Sequence, residues 1–292
     1  MQNITTRENL RTFRLAAWLG WQIEGNWADP FAFLALTIVR PMATALILVV
    51  MYEVIAGGAR GDFFSYLFIS NAFFVVVVQT MSGMAWAIYD DREEYKMLKY
   101  IYTSPARKFA YLIGRATAKM AIGMLSTVVL LAVGILFLGL ALPLDRVAWG
   151  WLALYFALGL VILISLGLVL AGVALVSARH SENIGEVSAG LLLLFSGAYF
   201  PPDILPVGLQ QITLVLPVTY WLEAMRRALN AGRTLQGPNG PISPLLAGID
   251  NAALLAILVI SALVSGVAAF LFYRWVEHAA KERGMIDITT EY

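Results

Sequence analysis

The amino-acid sequence predicts an all-α polytopic membrane protein, with six transmembrane helices, an amphipathic N-terminal interfacial helix and a re-entrant helical hairpin before the last span. Three observations carry that prediction. Of 292 residues, 60% are hydrophobic and 13% charged, where an ordinary soluble domain is about 25% charged. A water-soluble fold of this size needs polar cover over a large surface, so the excess apolar surface faces lipid. The charges that remain cluster between six apolar stretches long enough to cross or deeply enter a bilayer. Finally, the stretch before the last span is apolar yet repeatedly broken by Pro, which a plain crossing helix would not be.

Composition also excludes functions. With no Cys, thiolate catalysis, disulfide scaffolding and cysteine metal sites are absent together. A net charge of +1 gives no global field that would favour nucleic acid. Met1 to Trp27 carries Arg7, Glu8, Arg11, Arg14 and Glu24 spread throughout, unlike the short basic segment and apolar core of a cleaved signal peptide. Insertion is therefore expected to use the internal spans.

Residues 7–27 read as an amphipathic helix. Arg7, Arg11 and Arg14 share one face, flanked by Trp18 and Trp21, while Phe13, Ala16, Leu19, Ile23 and Trp27 share the other. That pattern suits an interfacial anchor in the headgroup plane, against membrane lipid; packing on the protein itself is the alternative. Asp29-Pro30 then supplies an N-cap and a Pro at the first helical position. The first span, Phe31–Ile55, would be about 37 Å long. That places Arg40-Pro41 near one boundary, where Arg can snorkel; a pore-lining Arg40 is the alternative.

The second span runs from Phe63 to Tyr89, the third from Met120 to Leu140 and the fourth from Val147 to Ala178. The turn 141–146 joins the last two as a hairpin. The fifth stretch, Ile184 to Phe200, makes only about 26 Å of helix, short for a crossing, and Pro201-Pro202 stops it. The sixth span is Asn251–Tyr273. In domain terms these readings give an interfacial helix over 1–29, a transmembrane domain over 30–273 and a cytoplasmic tail over 274–292. One set of loops and ends carries fourteen Lys or Arg and the other set five, so both termini are expected in the cytoplasm of a multi-pass cell-membrane protein.

Two connecting segments carry mechanism. In the segment 90–109, Tyr95, Leu98 and Tyr102 fall on one helical face. Asp90, Asp91, Glu93 and Glu94 load the N-terminal end of that helix, as its dipole prefers, and Ser104-Pro105 ends it. An aromatic stripe on a short cytoplasmic helix suits docking in a partner's groove and suits equally packing on its own membrane domain. In the segment 198–228, short helices broken by Pro are tolerated where they are buried or line a cavity. Tyr199, Phe200, Tyr220 and Trp221 suit the membrane interface there.

At these segments the chain resembles the membrane subunits of ABC-2-type exporters. The features are the interfacial helix ending in Asp29-Pro30, Arg40-Pro41 in the first span, and the acidic segment leading to Thr103-Ser104-Pro105. To these the chain adds Ser196-Gly197, Phe200-Pro201, Leu205-Pro206, Leu209 and Leu216-Pro217 with Tyr220. The resemblance implies a dimer of permease subunits, a homodimer or a heterodimer, driven by two copies of a separate ABC ATPase subunit that bind ATP and Mg. It implies ATPase coupling through Glu94, Tyr95, Leu98, Tyr102 and Pro105. It implies an outer gate at Gly197, Phe200, Pro201, Pro206, Pro217 and Tyr220. The sequence itself contains no G-x-x-x-x-G-K-[ST] phosphate loop, so no cofactor is expected on this chain and no enzymatic activity of its own.

Two other classes compete. A secondary transporter would carry mid-membrane ionisable residues, whereas Arg40, Glu53, Glu186 and Glu223 are expected near span ends. A membrane-embedded enzyme would need a site, and His180, Glu182 and Glu186 do not have a metal-ligand spacing. A cytoplasmic turn capped by Ser181 explains that group, and His278 lies among tail charges. No G-x-S-x-G turn accompanies the Ser residues.

Overall fold

The computed structural model describes residues 2–25, 31, 33, 35–56, 61–104, 108–177, 181–237 and 240–287. Among them eleven α-helices follow in order. The first six are α1 (Gln2–Gly25), α2 (Arg40–Ala56), α3 (Asp62–Tyr89), α4 (Leu98–Thr103), α5 (Lys108–Phe137) and α6 (Trp149–Val176). Then come α7 (Ser181–Phe195), α8 (Val207–Val215), α9 (Pro217–Leu229), α10 (Pro244–Ala247) and α11 (Asn251–Glu282). A two-residue antiparallel hairpin pairs Gln236 with Pro241. The protein is an all-α membrane protein: α3, α5, α6 and α11 are long and apolar enough to cross a bilayer, and Thr37–Tyr52 and Asn183–Phe195 are shorter apolar helical stretches.

Helix α3 is the hub. It is apolar on every side, so it belongs where every side is covered, and Ile69, Val76, Val77, Met84 and Ile88 are fully buried. α5, α6, α7 and α9 pack around it. By contrast α11 buries only one stripe, Leu254, Leu258, Ala262, Ala269 and Tyr273, at helical spacing. Its Ile260, Leu263, Val264, Val267 and Leu271 are exposed, as a helix facing lipid requires.

Helix α1 lies along α5 at backbone distance. A Cβ on Gly114 would sit 2.6 Å from the Phe13 carbonyl and 2.7 Å from the Ala16 Cβ, so only Gly permits that approach. Arg11, Arg14, Trp18 and Trp21 stay on the exposed side with Leu10 and Leu15, and Lys119 of α5 pairs with Glu24. The side chain of Arg7, like Asp29-Pro30, lies outside the described residues.

The structure departs from the sequence reading in several places. The polar 90–119 segment is not all link, because α5 begins at Lys108; its basic residues are tolerated because Arg115 and Lys119 have acidic partners. The last helix continues through Arg274 to Glu282, with i,i+4 pairing of Glu277 to Lys281 and of His278 to Glu282. The first apolar stretch is α-helical at Phe31 and Phe33 and then passes through a π-helical turn over Ala35–Val39. Pro41 has no N–H for the carbonyl four residues back, and that carbonyl, on Thr37, instead accepts a bond from Ser126 Oγ of α5 at 2.7 Å.

Arg40 is the first residue of α2. Tyr52, twelve residues on, packs against Phe63 and Phe64 at the start of α3, with ring centroids 5.9 and 5.7 Å apart. Twelve residues of helix put Arg40 about 18 Å along α2 from that contact. Glu186 is the sixth residue of α7, and its neighbour Gly185 accepts a bond from Ser82 of α3 at 2.9 Å. The side chain of Glu53 lies outside the described residues.

Candidate functional site

Three regions position functional side chains. The first is an elbow after α3. The helix continues as a π-helical turn, Asp90–Glu94, closed by N–H donation from Tyr95 to the Asp90 carbonyl at 2.8 Å. It then reverses at Lys96, whose φ of 49° ends any helix, and α4 follows. The single 90–105 helix of the sequence reading is thus split, and its stripe splits with it. Leu98 and Tyr102 are 2% and 6% exposed, packed against Met84, Ile88 and Leu112 of the protein's own spans. Tyr95 and Glu94 are exposed where the elbow meets the cavity, and Tyr100 is 66% exposed. Pro105 lies outside the described residues.

Buried polar groups hold the elbow to three spans. Arg92, 1% exposed, donates to the Ala174 carbonyl at 3.0 Å and to the Leu175 carbonyl, at the C-terminal end of α6. A cation there satisfies orphan carbonyls and complements the helix dipole. Asp91 accepts from the Tyr111 hydroxyl of α5 at 2.7 Å, and Asp90 pairs with Arg115 at 3.4 Å. The hydroxyls of Tyr102 and Tyr273 of α11 share a hydrogen bond. Sequence periodicity missed Arg92, Tyr111 and Arg115, because an ion in an acidic run gives no sign of being buried.

The second region is a cap at the opposite end of α3. Gly197, at φ 75°, follows α7; Pro201 is buried, Phe200 half-buried and Pro206 exposed where α8 starts. Pro217 is the first residue of α9, and the Tyr220 hydroxyl donates to the Leu214 carbonyl at 2.7 Å, closing α8 against α9. Glu223 takes both Arg226, at 2.9 Å, and Arg227, at 2.8 Å, in a site nearly dry on all sides. Arg226 also donates to Ser70 Oγ of α3 at 2.6 Å and lies 4.0 Å over the Tyr66 ring. Arg227 donates to the Leu246 carbonyl at 2.7 Å. Burial raises the Glu223 carboxyl, but Arg226 and Arg227 outweigh that and hold it below its ordinary value. Trp221 fills a notch at Gly159 of α6 and donates to the Tyr155 carbonyl at 3.0 Å.

The third region is a cavity of about 740 Å³ between α2, α3, α5 and α7. Its elbow end is lined by Glu24, Lys119, Asp90, Glu94 and Tyr95, and Glu186 faces it beside Gln79 and Trp86. Its other end is lined by Arg40, Thr44, Asn71, Phe74 and Tyr199, with Tyr199 hydrogen-bonded to Asn71. That volume is within the range of small-molecule sites, and the lining alternates apolar wall with isolated charge.

A bundle of long apolar helices with a mixed apolar and charged cavity, an anchored elbow at one end and a Pro-broken cap at the other is the frame of a helical membrane protein. The chain belongs to the ABC-2 type transporter family, whose description fits residues 14–230. It is therefore the membrane permease of an ABC transporter, an assembly that includes an ATPase. No curated protein matches the chain.

Proposed function

We propose that this permease is an exporter subunit of the cell membrane. In this reading the chain makes six crossings, with Thr37–Tyr52 and Asn183–Phe195 as the two short ones and α8 and α9 as a re-entrant pair on the outer side. Both termini are cytoplasmic, and the elbow receives the motion of a separate ATPase that holds ATP and Mg. Two ATPase copies would drive two permease copies in a homodimer or heterodimer, and this chain would catalyse no reaction.

The observation that carries the reading is the elbow. Arg92, Asp91 and Tyr102 tie it to α6, α5 and α11, while Glu94, Tyr95 and Tyr100 are exposed, the first two where the cavity meets the elbow. A push on these exposed residues would therefore move three long helices at once. The docking role falls to Glu94, Tyr95 and Tyr100, with Leu98 and Tyr102 supporting them from behind. The chain has no Cys, so single-Cys variants need no background removal. Tyr95→Cys and Tyr100→Cys should crosslink to a co-purified ATPase in a nucleotide-dependent way, and Leu98→Cys should not. An isolated chain that binds no ATPase would sink the reading.

An ion-gradient-driven transporter is the second reading, favoured by Arg40 and Glu186 within the cavity. Proteoliposome transport that follows a proton gradient and ignores ATP would support it against the first.

A further inference from the structure

Within the permease reading, on which this inference rests, we propose that Arg40 is the anion-recognising group of the cavity and that the substrate is an anionic amphipath. Such a molecule has a carboxylate, sulfate or phosphate head on an apolar body. Arg40 lies within the apolar helical stretch Thr37–Tyr52, a setting where charge is costly and is kept for a purpose. Arg40 is exposed to the cavity and, among the described residues, has no ion-pair partner. The other membrane-domain cations are matched: Arg115 to Asp90, Lys119 to Glu24, and Arg226 and Arg227 to Glu223.

The surroundings choose the ligand. The guanidinium offers forked donors that fit an oxyanion. The wall beside it is Phe74, Val75 and Leu193, which suits an apolar body. Glu186 does not answer Arg40, because Ser82, which holds Gly185, lies about two turns of α3 beyond Arg40's level. With Glu94 and Asp90, Glu186 makes the elbow end of the cavity acidic. An anionic head is therefore repelled from that end and drawn to Arg40.

The test measures binding to the full-length chain, purified with its ATPase in phosphatidylcholine nanodiscs. The probes are a fluorescent dansylamino-undecanoate and its uncharged methyl ester. The acid should bind about tenfold more tightly than the ester, the worth of one modest ion pair. Arg40→Gln should bring the acid down to the level of the ester, with ester binding unchanged; Arg40→Lys should retain the preference for the acid. Equal binding of acid and ester to the parent protein overturns the proposal, as does an unaltered acid affinity in a well-folded Arg40→Gln. If Arg40→Gln does not fold, the parent's preference and Arg40→Lys decide. Replacing part of the phosphatidylcholine with phosphatidylglycerol separates sources: loss of acid binding identifies an anionic bilayer lipid, and unchanged binding a soluble amphipath. Binding is read without turnover, so a chain that binds the acid but no ATPase would fail the permease reading and not this one.

Discussion

Glu223 illustrates how one buried charge organises an end of the molecule. Its two oxygens divide between Arg226 and Arg227, and those guanidiniums reach α3 through Ser70 and the loop before α11 through Ile249. Removing the carboxylate strands two buried cations, a change that costs about 3–5 kcal/mol. Glu223→Gln should accordingly lower the thermal midpoint of the purified protein by many degrees. The pH dependence comes from the lowered carboxyl. Its contribution is complete above the unfolded value of 4.5 and is lost as pH falls through the lower folded value. Stability measured below pH 4.5 should therefore decline, and the Glu223→Gln protein should lack that component. Gly159 is as restrictive sterically: a Cβ there would lie 1.9 Å from Trp221 Nε1. Gly159→Val should destabilise by about 3 kcal/mol through overpacking, read as lost cap ordering in tryptophan fluorescence.

At the scale of elements, the elbow and the first apolar stretch both depend on a π-helical turn. In each, an irregular backbone re-aims the next segment of chain: Lys96 reverses its direction after one, and Arg40 enters the cavity after the other. The Arg92 guanidinium on the end of α6 is the strongest tie between elbow and span. Arg92→Ala should leave ATP hydrolysis by the assembled complex largely intact while reducing transport at least about tenfold, the pattern of an interaction used in the coupled step. Arg92→Lys should recover part of the transport, because a point charge can still reach one carbonyl. Equal loss of hydrolysis and transport would mean that the residue only holds the fold.

The whole molecule is polarised. The elbow and the cap lie at opposite ends of α3, the cavity lies between them, and α11 turns an apolar side to lipid. The bias of basic residues toward the elbow end predicts the orientation. Cysteines introduced at Lys99 and at Asp145 should label from opposite sides of sealed cells, with Asp145→Cys reacting with an impermeant maleimide from outside. Labelling of Lys99→Cys from outside would invert the topology.

The sequence by itself determined the class of protein, because lipid exposure is a property of composition and length, and four of its apolar runs became long helices, although α5 starts earlier and α11 ends later than expected. It determined the Pro-broken cap as well, since Pro acts locally and has no N–H wherever it stands. Only the tertiary structure decided which charges are buried. Arg92 looks in sequence like a cation of a solvated loop, and the difference lies in the Ala174 and Leu175 carbonyls, distant along the chain. Leu98 and Tyr102 show the same limit: periodicity identified an apolar stripe, but whether it faces a partner or its own bundle depends on the turn at Lys96. The interfacial helix read over 7–27 carries the same lesson. Its Phe13 and Ala16 meet Gly114 of α5, a contact no local pattern encodes, while Arg11, Arg14, Trp18 and Trp21 remain free to meet the membrane surface.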